Sequence, residues 1–202
     1  MELPDIFGPS RRRLWALALG GPLSAMHGEP FDRLASRYSP ERCQEILAEW
    51  WTITDQSSAR WTLDWLRTAG HTAEARTILQ ELEAGEVAEA PTPQAAFLQR
   101  NREEIATRGL LAWDLGRLVP VARWSVNAGY ITTEEAWAWV EAGAPLIQSS
   151  YASWEEYGNG WRLGYIFWNG GKAPDKLFEQ PLGELLKSPG SPWKRLAWQT
   201  KL

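Results

Sequence analysis

Apolar residues recur every three or four positions along most of this chain, which is the spacing that places them on one face of an α-helix. One such stripe runs through Trp137, Val140, Ala144 and Ile147. No segment combines a period of two with flanking turn residues, the pattern typical of a half-buried strand. The sequence therefore predicts an all-α protein of about eight helices, with a tryptophan-rich core and little or no sheet.

Residues that cap helix N-termini mark where the predicted helices begin. A proline at the first helical position strengthens the signal at Ser39, and a glutamate three residues later turns Thr132 and Ser153 into capping boxes. The first helix is expected to end or bend at Gly20-Gly-Pro22, with a polar link after it. The predicted starts are Ser10, Ser39, Asp55 or Ser57, Thr72, Thr92, Thr132 and Ser153.

The second and third predicted helices each place tryptophans on their apolar face. Trp50 shares a face with the aliphatic residues of the second helix, and Trp51 lies at the border of that face. Trp61 and Trp65 are four residues apart in the third helix, so they also share a face. We therefore expect Trp50, Trp61 and Trp65 to be core residues.

The length of 202 residues suits one helical domain with a sizeable core. Residues 86–93 contain prolines and acidic residues, a composition typical of an exposed linker. This linker would join two subassemblies, residues 10–85 and 93–170, within the single domain 1–202. Residues 171–202 are expected to form a C-terminal extension, to which we assign no chemistry.

Composition and charge exclude several classes of function. The net charge is −4 and both signs are mixed along the chain, whereas nucleic-acid binding normally needs a clustered basic face. The only basic run is Arg11–Arg13. The single cysteine, Cys43, excludes an internal disulfide, and neither His27 nor His71 has a metal-ligand neighbour at helical spacing. We therefore expect no nucleic-acid partner, no metal and no cofactor.

The basic run and the apolar stretch after it, Leu14–Leu19, imitate a secretory signal. However, ten residues that include two acids precede the arginines, and Gly20-Gly-Pro22 interrupts a stretch already short for export. We therefore expect a packed first helix and a cytoplasmic protein. No apolar run approaches the roughly 20 residues needed to span a membrane.

A carboxylate on the apolar face of the predicted helix from Leu110 to Gly129 is the main polar candidate. An unpaired buried charge costs several kcal/mol or more, so Asp114 needs a partner. Arg117 lies one helical turn further on, where side chains meet. We favour a structural ion pair between these residues. The alternative is that Asp114 serves as an acid/base group and Arg117 as an anion clamp.

A proline inside the same helix, Pro120, predicts a kink or a restart. The helix after Ser153 carries an aromatic stripe from Trp154 to Trp168, interleaved with glycines. Close helix packing in the core is the interpretation we favour, and a ligand groove floored by aromatic rings is the alternative. A site would lie where the kink meets this stripe. Its candidate residues are Asp114, Arg117, Arg123, Tyr130, Trp161 and Trp168.

Three segments give the chain a resemblance to a known family. They are Leu111–Arg117, which reads Leu-Ala-Trp-Asp-Leu-Gly-Arg, Gly129–Trp137, which reads Gly-Tyr-Ile-Thr-Thr-Glu-Glu-Ala-Trp, and Ser153–Gly158 together with the Phe-Trp pair that ends at Trp168. With weaker similarities in the N-terminal half, the chain resembles the bacterial domain-of-unknown-function family 1266 over roughly residues 10–170. The resemblance implies an all-helical cytoplasmic domain and carries no established activity.

The leading functional hypothesis is a non-catalytic binding or protein-interaction protein that serves bacterial stress, competition or secretion. It rests on the lack of a histidine-based triad, metal-ligand spacing or phosphate loop in the sequence. The alternative is a carboxylate-dependent, hydrolase-like enzyme acting on a sugar or other small ligand. Its acid and base would be Asp114 and one of Glu134, Glu135, Glu155 or Glu156, with Glu135 and Glu156 as the named candidates. An arginine at the site would favour a small anionic ligand or an acidic partner segment.

Overall fold

The structure, a computed structural model, describes residues 8–85 and 92–202. Within these residues the chain forms twelve α-helices and no β-strand, so the all-α class is confirmed and the expected number of about eight is too low. The predicted linker at 86–93 falls mostly on residues 86–91, outside the described part. The helices are α1 (Arg11–Ala18), α2 (Gly21–His27), α3 (Pro40–Trp51), α4 (Gln56–Thr68), α5 (Gly70–Glu83), α6 (Pro93–Arg100), α7 (Arg102–Arg108), α8 (Leu111–Asn127), α9 (Thr133–Ser150), α10 (Trp154–Trp168), α11 (Lys176–Lys187) and α12 (Pro192–Arg195).

Two of the additional helices arise where the sequence pattern is interrupted. The stretch after Gly20, expected to be a polar link, forms α2, because Pro22 lies in the first turn, where its missing N–H group costs nothing. The helix expected from Thr92 onward is split into α6 and α7 at Asn101. The backbone of Asn101 leaves the helical region, and its side-chain amide donates to the carbonyl of Phe97 over 2.8 Å.

Most of the predicted helix starts are confirmed by hydrogen bonds. The side chain of Thr132 accepts from the backbone of Glu135, whose carboxylate accepts in return from the N–H group of Thr132. The side chains of Ser10, Ser39, Asp55, Thr92 and Ser153 each accept a hydrogen bond from a backbone N–H group in the first turn of their helices. The reciprocal bond predicted for a capping box at Ser153 is not formed, because Glu156 accepts from the backbone of Ala152 instead. The predicted start at Thr72 is wrong, because α5 begins at Gly70.

The centre of the molecule is α8, which packs against α3, α4, α9 and α10. Every residue from Ala112 to Ser125 is buried. The helix continues through Pro120, so the predicted alternative of a new helix starting there is wrong. Pro120 lies next to Gly20, at the junction of α1 and α2. The junction can lie this close to α8 because Gly20 has no side chain. A Cβ atom there would lie only 2.7 Å from the Cβ of Val119.

The predicted burial of tryptophans in α3 and α4 is wrong for two of the three. Trp50 is 51% exposed and Trp61 is 68% exposed, while Trp65 is half-buried. The residues of α4 that face the core are instead Ala59, Thr62, Leu63 and Leu66. A helical period fixes which residues share a face, but the neighbouring helices decide which part of a broad apolar face they cover.

The C-terminal segment belongs to the same core as α1 and α10. Trp193 and Trp198 are buried, and the indole of Trp193 donates to the carbonyl of Ala18 over 2.8 Å. The Trp193 ring stacks on Trp154, with 5.4 Å between ring centroids. Both indoles therefore pack on the body of the molecule, against α1 and α10. In the described part of the chain, no helix has the length and hydropathy needed to cross a membrane.

Candidate functional site

A cavity of about 600 Å³ lies between α3, α4, α8 and α10, with α2 and α11 at its edges. Eight of the fourteen tryptophans of the chain line it, two from each of the four main helices. They are Trp50, Trp51, Trp61, Trp65, Trp113, Trp124, Trp161 and Trp168. The volume falls within the range usual for small-molecule sites, roughly 300–1,000 Å³.

The mouth of the cavity is formed by side chains that a folded protein normally buries. Six large apolar side chains are exposed in the described part of the chain, and four of them line this cavity: Met26, Trp50, Trp61 and Trp168. Trp61 stacks nearly parallel on Trp65, with 6.4 Å between ring centroids. The rim of the cavity is therefore mostly apolar, and the polar residues that line the cavity are Thr52, Thr62, His71 and Arg117.

The carboxylate of Asp114 lies behind one wall of the cavity, at the N-terminus of α5. It accepts hydrogen bonds from the backbone N–H groups of His71 and Thr72 over 2.9 and 3.0 Å, and from the Thr72 hydroxyl over 2.8 Å. These N–H groups have no partner inside their own helix, so Asp114 caps α5 from another helix. Gly70 permits this approach, since a Cβ there would lie 2.2 Å from the Asp114 carboxyl carbon.

Arg117 connects this carboxylate to the cavity. Its Nη2 donates to Asp114 over 2.9 Å and to Nδ1 of His71 over 2.8 Å, and its Nε donates to the carbonyl of Trp113 over 3.1 Å. Because Nδ1 of His71 accepts from a guanidinium, the proton of the neutral imidazole is on Nε2. The guanidinium carbon also lies 4.4 Å from the ring centroid of Trp113 and 5.4 Å from that of Trp51, which are cation–π distances.

Burial acts on both members of this ion pair. Burial alone would raise the pKa of Asp114, but the hydrogen bonds from His71 and Thr72 and the charge of Arg117 hold that pKa below its usual value. Burial lowers the pKa of Arg117 to about 10, and the neighbouring Asp114 opposes that shift. Both groups are therefore charged at neutral pH, and the ion pair predicted from their spacing is present and buried.

Comparison with known proteins supports the similarity drawn from the sequence. Residues 46–198 match the family model described as "Protein of unknown function (DUF1266)". The chain belongs to this family. The match begins later than the resemblance at residues 10–170 suggested and includes most of the C-terminal segment. No curated protein and no solved structure matches the chain.

In this member of the family, two of the candidate site residues lie away from the cavity. Arg123 is fully buried, and its guanidinium donates to Ser24 Oγ over 3.0 Å and to the carbonyls of Pro30 and Arg33 over 2.8 and 3.0 Å. It therefore holds the segment between α2 and α3 against α8. Tyr130 is half-buried in the turn after α8 and does not line the cavity.

The two glutamates considered as catalytic partners are engaged elsewhere. Glu135 caps α9 and contacts Arg60 over 2.6 Å. Glu156 contacts Arg108 over 2.6 Å and accepts from the backbone of Ala152. In the described part of the chain, neither glutamate bonds to Asp114 or lines the cavity. The structure thus brings together Asp114, Arg117, Trp161 and Trp168, and leaves Arg123, Tyr130, Glu135 and Glu156 outside the cavity.

The sequence reasoning missed the half of the site that comes from α3, α4 and the start of α5. The tandem pair Trp50–Trp51 and the four-residue spacing of Trp61 and Trp65 were interpreted as core. Successive residues on a helix lie about 100° apart, so two indoles in a row are both buried only where the surrounding helices cover a broad face, as they do around α8. That tandem was the one local signal that some of these rings face solvent. Nothing local linked His71 to Asp114, which is 43 positions away.

Proposed function

We propose that this protein is a non-catalytic binding protein whose tryptophan-lined cavity takes a small ligand with a flat ring. The observation that carries the proposal is the clustering of exposed apolar side chains around one opening. Scattered exposed apolar residues are normal, but a contiguous apolar patch around a concave opening is typical of a binding site. Trp50, Trp61 and Trp168 are each more than half exposed there.

The shape and lining of the cavity favour a ring over a flexible chain. Indoles offer flat faces, and stacked or edge-to-face ring pairs contribute about 0.5–1.5 kcal/mol beyond the area that they bury. Trp50, Trp61 and Trp168 expose ring surface at the rim, while Trp161 lies behind them and is fully enclosed. A ligand of two or three fused rings fits within a volume of about 600 Å³ and would fill only part of it.

The arrangement of the acidic groups favours binding over catalysis. An acid or base must reach the proton that it transfers. The two oxygens of Asp114 already accept four hydrogen bonds within the protein, and its side chain is only 3% exposed. None of the four glutamates considered as the second carboxylate, Glu134, Glu135, Glu155 and Glu156, lines the cavity in the described part of the chain, which supports binding over a hydrolase that needs two carboxylates.

The test compares ring compounds for their effect on thermal stability and on tryptophan fluorescence. A compound that binds only the native state raises the melting temperature, and rings stacked on cavity indoles quench their emission. Trp61→Ala and Trp168→Ala should each weaken binding about threefold to tenfold, which corresponds to one lost stacking contact.

Leu146→Ala is the matched control, because Leu146 is also an exposed apolar residue and does not line the cavity. Its binding should equal that of the unmodified protein. The proposal is overturned if no ring compound shifts the melting temperature at millimolar concentration, or if the two tryptophan variants bind as well as the Leu146 variant.

A further inference from the structure

We propose that the ligand of this cavity carries an anionic oxygen, a carboxylate in the simplest case, which accepts hydrogen bonds from Nη1 of Arg117. This inference rests on the proposed function, because it names the chemical class of ligand for the same cavity. It is carried by one nitrogen of a buried arginine that makes no hydrogen bond with any described residue.

The hydrogen bonds of Arg117 leave one nitrogen available. Nε and Nη2 together make three bonds, to Trp113, His71 and Asp114. Nη1 makes none with any described residue, although Arg117 as a whole is only 5% exposed. Nη1 is also not among the fully enclosed nitrogen atoms that lack a partner, so it keeps some accessible surface, and Arg117 is a lining residue of the cavity. In the proposed binding mode, the N–H groups of Nη1 open on that cavity.

The charges around the cavity favour an anion at this position. No acidic side chain lines the cavity in the described part of the chain. Two buried carboxylates lie behind lining residues. That of Glu29 accepts from the indole of Trp124 over 2.8 Å, and that of Asp114 lies behind Arg117 and shares its charge with two N–H groups of α5 and with the hydroxyl of Thr72. Asp114 is thus the charge partner of Arg117 on one side, and an anion at Nη1 would add a charge-assisted hydrogen bond on the other.

Aromatic cages usually suggest the opposite ligand, a cation such as a quaternary ammonium ion. Here the guanidinium of Arg117 already lies against the faces of Trp51 and Trp113. A second cation would compete for those faces and would be repelled by the guanidinium at close range. Because Arg117 already occupies the faces of these indoles, the cavity disfavours a cationic ligand even if that ligand is a flat ring.

The position of the free nitrogen also limits how the ligand is held. A bidentate pairing of a guanidinium with a carboxylate uses two of its nitrogens, and only Nη1 is free. The ligand oxygen is therefore held by one nitrogen, and the ring supplies the remaining contacts with the indoles. We expect a compact aromatic acid whose carboxylate is attached directly to the ring or through one carbon.

The experiment uses three probes with the same ring system: naphthoate, naphthamide and naphthylmethylammonium. Affinities are measured at neutral pH by calorimetry and by quenching of tryptophan fluorescence. Naphthoate should bind at least about tenfold more tightly than naphthamide, and the cation should bind most weakly. Equal affinities, or tighter binding of the amide or the cation, would overturn the anion inference while leaving ring binding intact. Binding of none of the three would overturn the proposed function itself.

A pair of variants tests whether Arg117 makes the distinction. Arg117→Lys keeps the charge but loses the fixed position of Nη1, so it should reduce the preference for naphthoate over naphthamide to less than about threefold. Trp61→Ala should weaken all three probes by a similar factor. An unchanged preference in folded Arg117→Lys overturns the role of Nη1. If that variant does not fold, the ranking of the three probes by the unmodified protein still decides the anion inference.

Discussion

Asp114 and Asp64 have the same local arrangement, an aspartate three residues before an arginine in a helix, in two different environments. The N–O distances are 2.9 Å to Arg117 and 3.0 Å to Arg67. The Asp114 side chain is 3% exposed and that of Asp64 is 53% exposed. Water screens the exposed pair and can solvate either partner alone, whereas the buried pair has no such alternative. We therefore expect the two ion pairs, although similar in geometry, to contribute differently to the free energy of unfolding.

We predict that Asp114→Ala lowers the free energy of unfolding by about 3–5 kcal/mol, because it leaves the buried charge of Arg117 without its partner and removes the cap of α5. The matched change Asp64→Ala should cost no more than about 1 kcal/mol. Both values come from urea unfolding. A loss below about 1 kcal/mol for Asp114→Ala would show that this ion pair does not stabilise the fold.

At the residue scale, the sequence predicted the pair but not its surroundings. Asp114 and Arg117 are one helical turn apart, so their contact follows from helix geometry. His71 and Thr72 belong to another helix, and no periodicity within either segment indicates which backbone N–H groups will meet which carboxylate. Likewise, nothing in the sequence around Gly70 indicates that a carboxylate from α8 lies against its Cα atom.

At the element scale, the close packing of α8 and α10 depends on glycines that face tryptophans. A Cβ atom on Gly116 of α8 would lie 2.3 Å from Nε1 of Trp161. In the reciprocal position, a Cβ atom on Gly164 of α10 would lie 2.1 Å from the Cβ of Trp113. The two helices therefore fit each other through paired glycine and indole positions. This geometry agrees with the prediction that the glycines of α10 allow a neighbouring helix to pack closely.

We predict that Gly116→Ala costs about 1–3 kcal/mol, because the added methyl group overlaps the buried indole of Trp161. Gly183→Ala in α11 is the control, since a Cβ atom there would have no neighbour within 4 Å. That change should stabilise the protein by about 0.5–1 kcal/mol, because alanine has less conformational freedom to lose than glycine. Urea unfolding measures both changes. The same sign for the two would contradict this account of the α8–α10 contact.

The helices themselves were largely predictable, because capping residues and apolar stripes are local signals. The errors concern what tertiary packing decides. Trp50 and Trp61 lie on apolar faces, yet the neighbouring helices leave them at the mouth of the cavity. The cavity is bounded by four helices from distant parts of the chain, so its existence could not follow from any one stripe.

At the scale of the whole molecule, α8 joins the two parts of the chain that flank residues 86–91. The helices α3 and α4 from the first part and α9 and α10 from the second all pack on it. The last helices close the structure from the other end, since Trp193 bonds to Ala18 across 175 positions and stacks on Trp154. Contacts of this kind couple the stability of the segments that they join.

We therefore predict that the chain unfolds in one cooperative transition. Urea midpoints measured by tryptophan fluorescence and by far-ultraviolet circular dichroism should coincide, because neither part can lose α8 and keep its core. Trp193→Ala should cost about 3–5 kcal/mol and lower both midpoints equally, since the cavity left behind adjoins α1 and α10 together. Lys194→Ala, a change at the exposed neighbour of Trp193, should leave both midpoints unchanged. Separate transitions in the unmodified protein, or a Trp193→Ala effect on one probe alone, would mean that the parts on either side of residues 86–91 fold as independent units.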